Sequence, residues 1–218
     1  MKINNNYNSV AFLTLGCKVN AYETESIKEM FKNAGYEIRQ FNEAADIYIV
    51  NTCTVTNIAD RKSRQMLHRA KKLNPEAVVV AVGCYVQAPQ SKLEDDDLVD
   101  ILVGTRGKSS VLSLVEEYIR SNKTRDFKHN VIKAGEENKD WTYDSGEVNA
   151  GGGKNRANIK IQDGCDQFCT YCIIPFVRGR IRSRDMESIV EETDRLVKAS
   201  FREMVLTGIH IGSYGRDI

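Results

Sequence analysis

"DIYIVNTC", residues 46–53, is a mostly apolar run that ends in two polar residues and a cysteine. Runs of this length that are rich in isoleucine, valine and tyrosine are typical of buried β-strands. The same signature recurs in "AVVVAVGC", residues 77–84, and the polar, basic stretch Asn57–Leu73 between the two predicts a helix that ends before "NP". The order strand, helix, strand predicts an α/β fold with a parallel sheet.

The alternation of strands and helices continues on both sides of this unit. The further predicted elements are strands Val10–Leu15 and Ile101–Val103 and helices Asn20–Ala34 and Ser109–Asn122. Asn20 and Glu23 have the spacing of a capping box, which predicts that the first helix begins at Asn20. Residues 1–122 therefore form one predicted N-terminal domain.

Periodicity is lost over residues 123–155, where "NAGGGKN" at residues 149–155 is typical of a flexible linker. A second β/α unit then begins and occupies residues 156–218. Its predicted elements are strand Asn158–Ile161, helix Glu187–Ser200 and strand Met204–Ile209. We therefore predict two domains joined by a linker.

Composition limits the class of protein. The chain has 218 residues, a formal net charge of +1 and 41% hydrophobic residues, so affinity for nucleic acid has to come from local basic patches. The longest apolar run, Ala77–Val86, is too short to cross a bilayer, and the first ten residues lack the apolar segment of a secretion signal. We expect a cytoplasmic protein without a membrane partner, in which six cysteines indicate metal or redox chemistry.

A cysteine follows each of three predicted strands. Cys17 comes after "LTLG", Cys53 ends "IVNTC" and Cys84 ends "VAVGC". The carboxyl ends of parallel strands share one edge of the sheet, where open α/β sheets bind ligands. One such cysteine is often only a small buried apolar residue. Three of them in the same position favour a common metal centre.

The other three cysteines form a C-x3-C-x2-C motif made of Cys165, Cys169 and Cys172. Cysteine thiolates hold iron–sulfur clusters, and in a four-iron cluster each cysteine takes one iron, so three cysteines leave one iron open. A zinc site is the alternative, and it needs a fourth ligand that folding would have to bring in, for example His210.

Longer motifs around these cysteines resemble the radical S-adenosylmethionine (SAM) methylthiotransferases. They are "TLGCKVNAYETE" (residues 14–25), "VNTCTVTNIADRKSRQ" (50–65), "VGCYVQ" (82–87) and "IKIQDGCDQFCTYCIIPFVRGRIRSR" (159–184). Within the family, "TLGCKVNAYE" and "KSRQ" are most similar to the branch that acts on threonylcarbamoyladenosine in tRNA. The branches that act on isopentenyladenosine in tRNA and on a ribosomal-protein aspartate are less similar.

The resemblance implies two [4Fe–4S] clusters and SAM as cofactors. Cys165, Cys169 and Cys172 would hold the radical SAM cluster, and the triad formed by Cys17, Cys53 and Cys84 would hold an auxiliary cluster that presents the sulfur to be inserted. SAM would bind the open iron of the first cluster, with Tyr171 near the adenine and Gly208 near the methionine end, and yield the radical that removes a hydrogen. The implied partners are tRNA and a reducing electron donor of flavodoxin or ferredoxin type.

The resemblance also implies that the second domain is incomplete. Family members continue with further β/α units, so residues 156–218 are expected to be the truncated start of a partial β/α barrel. We therefore expect an N-terminal fragment that is inactive by itself.

Four arginines alternate in "VRGRIRSR", residues 177–184. If this segment is extended, Arg178, Arg180, Arg182 and Arg184 face the same way and form a ladder suited to RNA phosphates. Charged runs are also common on ordinary solvated surfaces. Two other classes of protein stay open: an iron–sulfur electron-transfer module, and a zinc-dependent RNA-binding protein.

Overall fold

The computed structural model of the protein describes residues 7–121, Tyr143 and residues 155–218. The first part contains a five-stranded sheet in the order β2-β1-β3-β4-β5, with every neighbouring pair parallel. The strands are β1 Ser9–Thr14, β2 Glu37–Arg39, β3 Ile47–Thr52, β4 Val78–Gly83 and β5 Ile101–Val103. The predicted α/β fold with a parallel sheet is confirmed.

Helices cover both faces of this sheet. They are α1 Lys18–Asn33, α2 Asn57–Leu73 and α3 Val111–Arg120, the last preceded by a 3₁₀ turn at Lys108–Ser110. Leu67 of α2 packs in one apolar core with Val50 and Val79, while Ile27 of α1 and Val115 of α3 pack in the core on the opposite face. Strands β3 and β4 are buried along their whole length because both of their faces are covered.

The second part is smaller. Its elements are β6 Arg156–Lys160, β7 Gln162–Asp163, α4 Ile174–Arg178, β8 Arg182–Ser183, α5 Met186–Lys198 and β9 Glu203–Thr207. Strands β6 and β9 pair in parallel, β7 and β8 pair antiparallel, and Leu196 of α5 packs on Ile159 of β6. This is the arrangement expected for the opening of a β/α barrel.

The two parts pack directly against each other. Val177 of α4 is fully buried in the same apolar core as Val50 and Leu67 of the first part. The Thr105 hydroxyl donates to the Val177 carbonyl at 2.9 Å. Helix α4 therefore closes one side of the first domain.

Several sequence expectations need correction. The capping-box prediction is wrong: α1 begins at Lys18 with Cys17 as its N-cap, and the Asn20 side chain instead donates to the carbonyls of Leu15 and Thr52 at 2.7 and 3.0 Å. The sequence analysis also did not predict β2, β7, β8 or α4 as separate elements. Of the predicted linker 123–155, all but Tyr143 and Asn155 lies outside the described residues.

No helix among the described residues is both long and apolar enough to cross a membrane.

Candidate metal centres and the interface beside them

The register of the first sheet brings Cys17, Cys53 and Cys84 to one edge. Thr14 pairs with Asn51, and Thr52 pairs with Gly83, so Cys53 and Cys84 directly follow neighbouring paired residues. Cys17 follows β1 after a turn through Gly16, whose φ is +96°. A Cβ on Gly16 would lie 2.9 Å from Cys53 Sγ, which shows how closely the two loops approach. The three cysteines thus share the carboxyl edge of three adjacent strands.

The thiols of this triad differ in exposure. Cys53 and Cys84 are buried, whereas Cys17 is exposed at the start of α1. Burial raises the pKa of the Cys84 thiol, and the positive charges of Arg178 and Lys108 act in the opposite direction. Burial outweighs these charges, so the metal-free protein favours the neutral thiol of Cys84 over the thiolate that binds metal.

The second cysteine triad lies on the loop between β7 and α4. Cys165 is buried, Cys172 is partly buried and Cys169 is exposed. The Cys165 amide donates to the Gly179 carbonyl at 3.0 Å, and the Cys172 amide donates to the Cys169 carbonyl at 2.9 Å. The first bond ties the start of the loop to the chain after α4, and the second closes a turn over residues 169–172.

Gly164 lets the chain turn at the start of the cysteine loop. Its φ is +71°, and a Cβ there would lie 1.9 Å from the Arg180 carbonyl oxygen. Next to it, the Gln162 side chain donates to the Gly164 carbonyl at 2.7 Å and accepts from the His210 amide at 2.8 Å. Gln162 thereby ties the cysteine loop to the loop after β9. The sequence analysis missed this residue, because a glutamine near a strand end carries no motif of its own.

The two predicted SAM-binding residues lie in different surroundings. The Tyr171 residue is 91% exposed, so its ring is free to contact a ligand. Gly208 follows β9, and a Cβ there would lie 2.9 Å from Gln162 Oε1. A glycine is thus required at position 208 by its close approach to Gln162. The roles of both residues toward SAM stay predictions.

The donor set fits iron–sulfur clusters. All six cysteines are free thiols, and thiolate is the usual ligand of such clusters. Among the described residues, no group of three or more histidine, cysteine, aspartate or glutamate residues is close enough to hold a single metal ion. A four-iron cluster does not require the three thiols to meet at one ion, because each cysteine binds its own iron. His210, the candidate fourth zinc ligand, contacts Ser213 Oγ through Nδ1 at 2.5 Å.

The predicted one-sided arginine ladder is wrong. Arg178 ends helix α4, Gly179 turns the chain with φ +77°, and only Arg182 and Ser183 form a strand, so the segment is not continuously extended. Arg178, Arg182 and Arg184 are buried, whereas the Arg180 side chain is 64% exposed. Of the four, Arg180 is the one whose guanidinium is available to a polyanion.

Arg178 instead joins the two parts of the chain. Its Nη1 lies 3.2 Å from Glu23 Oε1 in α1 and 2.9 Å from Asp163 Oδ1 in β7, and its Nη2 donates to Asn20 Oδ1 at 2.6 Å. That same Asn20 oxygen lies 3.8 Å from Cys17 Sγ. Burial works against the charge of Arg178, but Asp163, Cys84 and Glu23 outweigh it and hold its pKa above the ordinary value.

Two lysines complete this group. Lys160 of β6 lies 2.9 Å from Glu23 Oε1 and 2.7 Å from Asp163 Oδ2, and Lys108 pairs with Glu23 Oε2. Arg182 lies 3.5 Å from Asp163 Oδ2. We call Glu23, Lys108, Lys160, Asp163, Arg178 and Arg182 the buried charge cluster. Nothing in the sequence pattern indicates that these residues meet, because they come from six separate elements.

A second polar group, also buried, crosses the same interface. Arg184 pairs directly with Glu192 of α5. The Tyr22 hydroxyl reaches this pair from α1 in the first part of the chain, and it lies 3.1 Å from Glu192 Oε2 and 3.3 Å from Arg184 Nη1. This group holds one cation and one carboxylate. It stabilises the interface without adding net charge.

An exposed pair of aromatic rings lies beside Arg180. Its guanidinium lies 5.3 Å from the centre of the Phe168 ring, and Phe168 makes an edge contact with Phe176 at 6.0 Å. Both rings are about half exposed. The sequence analysis did not single out these phenylalanines, although an aromatic residue beside an arginine is typical of surfaces that bind single-stranded nucleic acid.

Two family models match separate stretches of the chain. The model described as "Uncharacterized protein family UPF0004" matches residues 9–104, which include Cys17, Cys53 and Cys84. The Radical SAM superfamily model matches residues 159–215, which include Cys165, Cys169 and Cys172. Each cysteine triad thus falls in its own family segment.

Curated relatives extend over nearly the whole chain. The threonylcarbamoyladenosine tRNA methylthiotransferase MtaB of Bacillus subtilis (strain 168) is 46% identical over 96% of this chain, and that of Aquifex aeolicus (strain VF5) is 42% identical over 95%. The tRNA-2-methylthio-N(6)-dimethylallyladenosine synthase of Moorella thermoacetica is 35% identical over 94%. The matches cover 45%, 49% and 46% of those proteins, so the chain spans about half the length of these relatives.

Proposed function

We propose that this chain, which belongs to the UPF0004 family over residues 9–104 and to the radical SAM superfamily over residues 159–215, carries the cofactor-binding part of a tRNA methylthiotransferase. The proposed reaction converts N6-threonylcarbamoyladenosine next to the anticodon to its 2-methylthio derivative. The observation that carries this proposal is the 46% identity, over 96% of the chain, to a relative named for that activity.

Each cysteine triad has a separate proposed role. Cys165, Cys169 and Cys172 would hold a [4Fe–4S] cluster with one iron left open for SAM, and Cys17, Cys53 and Cys84 would hold a second [4Fe–4S] cluster. When bound, these groups supply the radical, the sulfur and the methyl group of the reaction. The chain's own residues position them: the Gly164 turn shapes the first loop, and the paired ends of β3 and β4 align Cys53 with Cys84.

SAM and substrate are proposed to meet around the exposed side of the cysteine loop. Tyr171 contacts the adenine of SAM, and Gly208 leaves room near its methionine end. Arg180 and Phe168 contact the tRNA, because a guanidinium over an exposed ring suits an unpaired nucleotide and its phosphate. An anticodon-loop adenosine fits this surface better than a duplex base, which would first have to leave its stack.

The proposed setting follows from the chemistry. A radical SAM cluster needs an electron, so we propose a donor of flavodoxin or ferredoxin type. We also propose that the reaction takes place in the cytoplasm, together with its tRNA substrate.

A second candidate substrate is isopentenyladenosine in tRNA. The relative from Moorella thermoacetica, named as a dimethylallyladenosine methylthio synthase, is 35% identical over 94% of the chain and favours this alternative. The lower identity ranks it second. A ribosomal-protein aspartate is the third substrate to test, because the sequence motifs also resemble that branch.

Mass spectrometry of tRNA nucleosides decides between these substrates. A strain that lacks the gene should lose methylthiolated threonylcarbamoyladenosine and regain it with the wild-type gene, but not with the Cys172→Ala gene. If the isopentenyl counterpart disappears instead, the second candidate replaces the first. If neither nucleoside changes, the ribosomal-protein target should be examined. A purified protein without the brown colour of an iron–sulfur cluster would favour the zinc-dependent RNA-binding class.

A further inference from the structure

We propose that the buried charge cluster, and Arg178 above all, holds the auxiliary cluster at Cys17, Cys53 and Cys84 in an electropositive setting that raises its reduction potential. Arg178 belongs to the radical SAM segment, so this charge acts across the domain interface. The inference rests on the proposed function in one respect: it takes a cluster to be bound at these three cysteines.

The first observation is the sign of the charge. Within the six residues of the buried charge cluster, cations outnumber carboxylates by four to two. The Arg178 and Lys160 side chains are only 0% and 3% exposed, so water screens them little. Buried charge of one sign is costly unless an opposite charge lies nearby. A cluster bound by three thiolates is such an anionic neighbour.

The second observation is the position of the cations. Val177, the residue before Arg178 in α4, packs in the same apolar core as Cys84. On the other side, Arg178 shares the Asn20 amide oxygen with Cys17, through contacts of 2.6 and 3.8 Å. Arg178 is thus one shared oxygen away from Cys17, and its helix packs in the core that contains Cys84.

The third observation is an unused donor. Arg178 Nε is buried, and no hydrogen-bond partner for it exists among the residues that the structure describes. Leaving such a donor unpaired destabilises a folded protein. An anionic group bound at the neighbouring cysteines would supply the missing acceptor. Positive charge and hydrogen bonds near the sulfurs both raise the potential of an iron–sulfur cluster.

The test isolates the auxiliary cluster in the full-length gene product. Cys165, Cys169 and Cys172 are replaced by alanine, so that the remaining iron belongs to the other triad. Arg178→Gln is then compared with Arg178→Lys, which keeps the charge, by an anaerobic redox titration followed by electron paramagnetic resonance. Neutralising Arg178 should disfavour the reduced cluster by at least about tenfold, equal to about 59 mV for one electron. The lysine variant should shift much less.

Arg184→Gln is the matched control. Arg184 is also buried and also crosses the interface, but it belongs to the balanced group with Glu192 and Tyr22. Its replacement should destabilise the protein without moving the potential. Lys108→Gln provides a second measurement if Arg178→Gln does not fold, and it should move the potential in the same direction.

Three outcomes overturn the inference. An unchanged potential in Arg178→Gln, or in Lys108→Gln, shows that the cluster does not sense these charges. An equal shift in Arg184→Gln shows that the effect comes from a loosened interface. If the parent with three alanines binds no iron, the two-cluster function itself fails and the inference fails with it, and iron analysis of that parent distinguishes this case from the others.

Discussion

Arg178, at the end of α4, and Glu23, in the middle of α1, form a buried ion pair between the two parts of the chain, with Nη1 and Oε1 3.2 Å apart. The two residues are 155 positions apart in sequence. The pair joins helix α1, which directly follows Cys17, to helix α4, which follows the loop of the second cysteine triad. It therefore helps to hold the two parts of the chain together.

Glu23 should make stability depend on acid pH. Burial acts to raise the pKa of Glu23, but Arg178, Lys108 and Lys160 outweigh it and hold the pKa well below the ordinary range. The unfolded chain then takes up the proton first, near pH 4.3, so the contribution of Glu23 is complete above that pH and is lost as the pH falls below it. Urea unfolding of the metal-free protein between pH 5 and 3 should show this loss.

Glu23→Gln should lower the free energy of unfolding at neutral pH by about 3–5 kcal/mol, because it removes a buried carboxylate that pairs with three buried cations. It should also flatten the dependence on acid pH. Glu37→Gln is the control, since Glu37 belongs to an exposed pair with Arg39 that contributes little. Equal pH profiles for wild type and Glu23→Gln would show that Glu23 is not the group responsible.

Gly164→Ala should prevent the cysteine loop from forming. The new Cβ would lie 1.9 Å from a backbone oxygen of Arg180, and backbone cannot move aside as a flexible side chain can. Gly215 is the matched control: its φ is +81°, yet nothing lies within 4 Å of its Cβ position. Gly215→Ala should cost only the conformational strain of about 1–2 kcal/mol. Thermal unfolding and iron content measure the difference, and similar losses in both variants would contradict the close approach.

Arg180→Ala should weaken tRNA binding and reduce its salt dependence by about one phosphate contact. Arg156→Ala is the control, because the Arg156 and Arg180 side chains are similarly exposed, at 65% and 64%. Arg156 is the first residue of β6, at the end of that strand away from the cysteine loop. Filter binding of tRNA at several salt concentrations measures both. Arg182, which the ladder would have placed on the RNA, is buried, so its replacement should destabilise the fold instead. Unchanged binding in Arg180→Ala would remove this surface from the RNA interface.

The two cysteine triads should bind iron independently. Replacing Cys165, Cys169 and Cys172 by alanine, or replacing the other triad, should each remove about half of the iron, because each four-iron cluster has its own three ligands. Anaerobic reconstitution followed by iron and sulfide analysis counts the clusters. Loss of all iron from either variant would argue for a single shared centre.

Local pattern was enough to predict four of the five strands of the first sheet, and only the short edge strand β2 was missed. The apolar runs at β3 and β4 and the basic helix α2 are decided by side chains that lie next to one another in sequence, so the order strand, helix, strand could be read directly. Parallel order then placed Cys17, Cys53 and Cys84 at one edge, because the carboxyl ends of parallel strands coincide. The predicted helix start at Asn20 was wrong because it does not depend on local pattern. The Asn20 and Glu23 side chains contact residues that are far away in sequence.

The sequence by itself determined the α/β class, the two cysteine triads and the edge of the sheet at which the first triad lies, because strand and helix periodicity and short motifs are local. Only the tertiary structure decided which of the four arginines are buried and which one is exposed. A one-residue turn at Gly179 breaks the extended segment, and carboxylates from α1, β7 and α5 then bury Arg178, Arg182 and Arg184. Burying an arginine is favourable only where such partners meet it, and that meeting depends on how the two domains pack.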